Sequence, residues 1–237
     1  MKRRLVAFGV PLLAVGPAVW FGTTDADPKP VEFADARLKV EINATDGDAG
    51  LQIFLDGEAW NEVELLDPQG DPIVDMDVTG RAGDFGLTEL FSESSEPPFD
   101  EFPLDQFKAL FPEGTYTFQG TTIDGAPITG TAMLTHDFPD GPQILSPRAG
   151  SPVRRDRVVV EWSPVTTPAG IDIVGYQVLV TQEEPVLRVF SADLPATARR
   201  LSVPAEFIQP RTVYKVEVLA IEAGGNQTLT EISFRSR

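Results

Sequence analysis

Apolar and polar residues alternate in short runs along most of this chain. Lys39 and Glu41 separate Leu38, Val40 and Ile42; Asp75 and Asp77 separate Val74, Met76 and Val78. In Val213–Ile221, residues Tyr214, Val216, Val218 and Ala220 share one face, and Lys215 and Glu217 lie on the other. Such period-two patterning marks half-buried strands. Shorter runs repeat the theme at Ile53 and Leu55, Val63 and Leu65, Tyr116 and Phe118, and Ile128, Ala132 and Leu134. Towards the C-terminus they recur at Val158–Trp162, Gly175–Val180, Val186–Phe190, Arg200–Val203 and Leu229–Phe234. Turn signals punctuate them, at Asp46-Gly47-Asp48, Asp67-Pro68-Gln69-Gly70, Asp124-Gly125 and Gly224-Gly225-Asn226. The expected fold is all-β, two sandwiches of roughly seven strands each.

Residues 85–111 break the rhythm. Leu87, Leu90 and Phe91 fall at i, i+3 and i+4, which predicts a helical turn. Leu104, Phe107, Leu110 and Phe111 predict an amphipathic helix bounded by Pro103 and Pro112. This stretch holds six of the 15 Phe residues, so it should pack onto something as a helical insertion capping one edge of the first sandwich.

The C-terminal runs carry a resemblance. Trp162 follows Val158 and Val160, with Pro164 nearby; Ile173-Val174-Gly175-Tyr176-Gln177-Val178 puts a Tyr on the third strand; Ile208 to Tyr214 keeps the spacing before a late strand. Over nearly all of 143–237 the chain resembles a fibronectin type III domain. The resemblance implies a sandwich with Trp162 and Tyr176 in its core and Tyr214 as a tyrosine corner. Such modules bind partners or act as spacers, and the fold names no chemistry. More loosely, the whole chain resembles exported bacterial proteins that carry such a module, which brings no activity with it.

The N-terminus reads as an address. Lys2, Arg3 and Arg4 precede an uncharged run from Leu5 to Phe21, and Thr24 and Ala26 are small residues before a cut after Ala26. This is the pattern of a secretory signal peptide; an uncleaved anchor is the alternative, and would be the protein's only membrane contact. The organisation expected is a signal peptide over 1–26, an extended lead-in over 27–35, an acidic sandwich over 36–142 and the fibronectin-like unit over 143–237. The protein should be exported, periplasmic or extracellular. It has no Cys, so its cores must hold it without disulfides.

Charge sharpens the division. The formal net charge is −17, yet residues 27–142 carry 25 acidic and 5 basic side chains, and residues 143–237 carry 10 and 11. An acidic surface repels phosphates, which excludes nucleic acid as a partner. One His and no Cys leave no His-rich metal site, no thiolate zinc site and no thiol nucleophile. His136, beside Asp137, has no paired Ser or Cys motif and reads as a strand-end polar group.

Asp46 and Asp48 sit in an oxygen-rich turn. It reads first as an acidic hairpin; calcium, which takes six to eight oxygens, is the alternative cofactor, and no other is expected. Glu96, Phe99, Asp100 and Glu101 lie in an acidic, aromatic loop, read as core anchoring by the Phe side chains or as a binding surface for protein or carbohydrate. Trp60, among Glu58, Asn61 and Glu62, is either core or a stacking platform for sugar. Arg154, Arg155 and Arg157 read as solvated, or as docking on the acidic half. Asn226-Gln227-Thr228 matches a glycosylation sequon. The function expected is a non-catalytic binding or interaction protein of the envelope or exterior. The alternative is a carboxylate-based or calcium-assisted hydrolase of envelope or extracellular polysaccharide, whose two carboxylates would converge in a cleft.

Overall fold

A computed structural model describes residues 29–237. The segment read as a signal peptide lies outside the described residues. The first half contains seven strands: β1 (Val31–Glu32), β2 (Asp35–Asn43), β3 (Asp48–Leu66), β4 (Pro72–Asp77), β5 (Leu87–Glu93), β6 (Gly114–Thr122) and β7 (Pro127–Leu134). Helix α1 (Gly80–Phe85) precedes β5, and α2 (Leu104–Leu110) follows it.

Strand β3 organises this half. The runs at Ile53–Leu55 and Val63–Leu65, expected as two strands, are one strand of 19 residues. Its first part pairs with β2 on one side and β5 on the other; its last part pairs with β4 and β6. Register shifts between Asp56 and Trp60, and between Trp60 and Glu62, mark where it changes partners. At this bend Gly57 passes so close to Phe33 that a Cβ would lie 2.9 Å from the ring. Each irregularity moves the inward face by one residue. The buried set therefore runs Leu51, Ile53, Leu55, then Trp60, then Val63 and Leu65.

Two further corrections concern this half. Leu87, Leu90 and Phe91 form strand β5, not a helical turn, because β3 offers them an edge to pair with. The insertion is thus two short helices flanking a strand. Helix α2 lies where Pro103 and Pro112 predict it and buries Phe107, whose ring meets Phe111 edge-on at 4.9 Å. The lead-in is also part of the fold: β1 pairs in parallel with β7, and Phe33 is buried in the first core.

The second half contains β8 (Ile144–Ser146), β9 (Pro152–Val153), a 3-10 turn at Arg155–Arg157, β10 (Val159–Trp162), β11 (Ile173–Gln182), β12 (Arg188–Pro195), β13 (Arg200–Ser202), β14 (Val213–Glu222) and β15 (Gln227–Ser236). Strands β13-β10-β8 form one sheet and β12-β11-β14-β15 face it. Between them lie Trp162, Tyr176 and Tyr214, with the first two rings 5.5 Å apart. The Tyr214 hydroxyl accepts the Gln209 N–H at 2.6 Å, which is the tie of a tyrosine corner. The run from Val186 to Phe190 begins its strand only at Arg188; Val186 and Leu187 are exposed in the preceding loop.

The two halves share a sheet. The start of β15 pairs in parallel with β2, matching Gln227, Thr228 and Leu229 to Glu41, Ile42 and Asn43. This joins the strands into one path, β1-β7-β6-β3-β2-β15-β14-β11-β12. Asn226 extends the seam by one side chain. Its Oδ1 accepts the Val40 N–H at 2.9 Å, and its Nδ2 donates to the Thr135 carbonyl and hydroxyl at 3.0 Å each. The buried Glu222 carboxylate accepts the N–H groups of Gly224 and Asn226 and so sets the turn that aims this side chain.

Candidate functional site

The seam places an acidic cluster on the outer face of the joined sheet. On β2 the even positions Leu38, Val40 and Ile42 point into the core, so Lys39 and Glu41 point out. Cross-strand register puts Gln52 beside Lys39, Glu93 beside Gln52, and Gln227 beside Glu41. Lys39 Nζ donates to Gln227 Oε1 at 2.9 Å, Gln227 Nε2 donates to Glu41, and Gln52 Nε2 donates to Glu93 Oε1 at 2.6 Å.

Glu96 reaches this network from the loop after β5. The loop is laid along the start of β3: Ser94 N–H donates to the Leu51 carbonyl at 2.9 Å, and Phe99 N–H to the Gly47 carbonyl at 2.7 Å. The Glu96 side chain lies over Gly50, where a Cβ would approach its Oε1 to 2.9 Å. Carboxylate oxygens of Glu41, Glu93 and Glu96 thereby lie within 4.8 Å of one another. None of the three is in an ion pair among the described residues.

Crowded like charges favour the neutral acid. Partial desolvation of the carboxyl where the side chain lies over Gly50, reinforced by the charges of Glu93, Asp48 and Glu41, pushes Glu96 up to about 7 although much of the residue stays exposed. Burial likewise raises Glu41, and it lowers the Lys39 ammonium. An unfolded Glu titrates near ~4.3, so Glu96 contributes stability below that pH and loses it as pH rises through about 7. Glu96→Gln should therefore flatten the fall in melting temperature between pH 5 and pH 8, and should stabilise the protein at pH 8. Because Glu96 is exposed, solvent screening holds that gain to about 1 kcal/mol. Thermal melts of both proteins across this range check it.

The other expected site residues are scattered. Trp60 is fully buried in the first core and is no stacking platform: the irregularities on either side turn it inward while Glu58 and Glu62 stay outside. Phe99 is half-buried against that core, whereas Asp100 and Glu101 are exposed. Asp46 accepts from Asn43 Nδ2 at 3.1 Å within the hairpin turn, and Asp48 leaves Oδ1 buried without a partner. Neither belongs to the carboxylate triple. His136 donates its N–H to Glu113 and sets its ring Nε2 2.8 Å from the Phe111 carbonyl. The sequon is closed: Asn226 is 1% exposed and its amide is engaged across the seam. Glu41, Gln52 and Gln227 carry no sign of this cluster in the sequence beyond being polar residues at outward strand positions.

The triple lies on an open face. A groove of about 590 Å³ beside the seam is lined by Lys39, Met133, Gln177, Asp193 and Gln227, and another of about 720 Å³ by Asp46, Glu183, Arg211, Lys215 and Arg235. Glu41, Glu93 and Glu96 line neither.

No family model matches the chain, and no curated protein does. Among solved structures it is similar to the FN1–FN3 domains of chicken CNTN1, at 13% identity and a TM-score of 0.35, over 89% of this chain and 66% of that one. It is also similar to a two-domain fibronectin type III segment of chicken tenascin, at 13% identity and a TM-score of 0.30, over 88% of this chain and 97% of that one. The chain thus spans about two thirds of the contactin fragment. The fold assignment rests on the strands themselves. With a three-stranded sheet facing a four-stranded one around Trp162, and a tyrosine corner at Tyr214, the C-terminal half has a fibronectin type III-like fold.

Proposed function

We propose that this is an exported, non-catalytic interaction protein of the cell envelope or exterior, with a protein or carbohydrate partner. The observation that carries the reading is the seam. Parallel pairing of β15 with β2 joins a fibronectin-like unit to an acidic unit, so that one sheet face spans both. A broad, rigid face binds a partner without ordering a linker first, which lowers the entropy lost on association. A photo-crosslinking residue at Phe91, exposed on this face, should give a discrete crosslinked product in the producing cells, and one at Leu145, exposed on β8 of the separate three-stranded sheet, should not. Equal labelling at both positions, or none, would count against the reading.

A second reading is favoured by one observation: carboxyls this close, with one held protonated near neutrality, resemble an acid and nucleophile pair. The hydrolase reading requires release of reducing ends from an envelope polysaccharide, lost in Glu96→Gln. Glu93 and Glu96 are exposed and line neither groove described above, which supports binding instead.

A further inference from the structure

The arginines expected to dock on the acidic half sit elsewhere. Strand β15 touches β2 at Gln227–Leu229 and β9 at Arg235 and Ser236, and the six steps from Leu229 to Arg235 at ~3.3 Å each put the two ends about 20 Å apart. At the far end, Arg235 N–H donates to the Ser151 carbonyl and Arg237 N–H to the Val153 carbonyl, just ahead of the Arg155–Arg157 turn. Thr212, beside Arg211, is bonded to Ser236 in both directions. Arg155, Arg157, Arg211, Arg235 and Arg237 therefore gather, exposed, at the end remote from the seam. Among the described residues none of these five is ion-paired; Arg154 is, to Asp156 at 2.6 Å. Arg211 and Arg235 share a groove with four carboxylates, Asp46, Glu183, Glu184 and Glu231, none of which is ion-paired to either arginine among the described residues.

The acidic half carries a surface of opposite character. In the β3–β4 pair, Glu62 lies directly opposite Asp77, and Glu64 opposite Asp75. Like charges directly opposed in a sheet are destabilising. No Lys or Arg pairs with any of the four among the described residues; only Gln119 donates to Glu64, at 2.8 Å. Each surface has what the other lacks, and they cannot meet within one molecule.

We propose that copies of this chain associate head to tail, the arginine end of one seating on the Glu62, Glu64, Asp75 and Asp77 ladder of the next. The contact joins two different surfaces, so each added copy leaves one of each free, and the assembly grows until its rotation closes a ring or continues as a chain. The charge of −17 opposes association only at long range. At about 0.1 M salt, screening over ~10 Å removes most of that repulsion and leaves the direct contacts, whereas about 1 M salt, at ~3 Å, removes those too.

Sedimentation of the full chain tests it. At about 0.1 M salt the mass should at least double relative to the monomer, and at about 1 M it should return to the monomer. Arg155→Gln/Arg157→Gln/Arg235→Gln and Asp75→Asn/Asp77→Asn should each be monomeric. An equimolar mixture of the two should form a dimer and nothing larger, since each supplies one intact surface. Asp75→Asn/Asp77→Asn also relieves the opposed charges, so its melting temperature should rise, which separates lost contact from lost fold. A wild-type chain that stays monomeric, oligomers that survive high salt, or a mixture that stays monomeric would each overturn the proposal. So would binding of polyglutamate at the arginine end without self-association, which would assign that end to another acidic partner.

Discussion

Asn226→Ala should destabilise the protein by about 3 kcal/mol and loosen the join between its halves. The side chain is 1% exposed and makes three bonds across the seam. Alanine leaves the Val40 N–H and the Thr135 carbonyl without these partners, and a buried group so stranded costs about 1–3 kcal/mol. Asn226→Asp is the sharper companion. It keeps an acceptor for Val40 but loses the donor to Thr135 and adds a charge in the seam. Urea unfolding measures the loss, and amide exchange at Val40 locates it: protection there should fall in the Ala variant and survive better in the Asp variant. Cleavage by protease within 135–142 should also speed up, because Thr135 anchors the start of that connection. A loss below 1 kcal/mol, with Val40 still protected, would mean that the paired strands alone hold the halves together.

Trp60→Ala should cost about 4 kcal/mol, the usual range for removing a large aromatic from a packed core. The side chain sits where β3 leaves one set of partners for another, so the cavity would open at the pivot of the first half. Trp60→Phe should cost far less. The indole Nε1 is buried without a hydrogen-bond partner, so the smaller ring loses volume but also relieves an unsatisfied donor. Equilibrium unfolding of the two variants decides it. A near-neutral Trp60→Ala would restore the exposed-platform reading that the structure removes.

Much of the fold was legible because it rests on local alternation. Leu38, Val40 and Ile42 are buried as their spacing requires, and so are Tyr214, Val216 and Val218. The helix at Leu104–Leu110 was legible from two prolines and a 3.6-residue period. Trp60 was misleading because its inward turn depends on two strand irregularities, which the residue types do not announce. Leu87–Phe91 fits a helical spacing equally well; the free edge of β3 decided for strand, and that edge exists only once the rest has folded. The acidic triple was half legible. Glu96 stood out in an acidic loop, but Glu41 and Glu93 lie on separate strands, and only pairing across the sheet and the packing of the loop over Gly50 bring them together.

The sequence by itself determined two β units of unlike charge, and its resemblance to a fibronectin type III domain pointed to the tyrosine corner, since both rest on residues a few positions apart. Tertiary structure alone decided that the units share a sheet, that Asn226 serves the seam rather than a glycan, and that the Arg155–Arg157 turn lies at the end of β15 away from the seam. The physical reason is that parallel pairing of β2 with β15 links residues more than 180 positions apart. No local pattern encodes such a contact; it forms because Val40, Thr135 and Glu41 present backbone and side-chain groups that must find partners once buried.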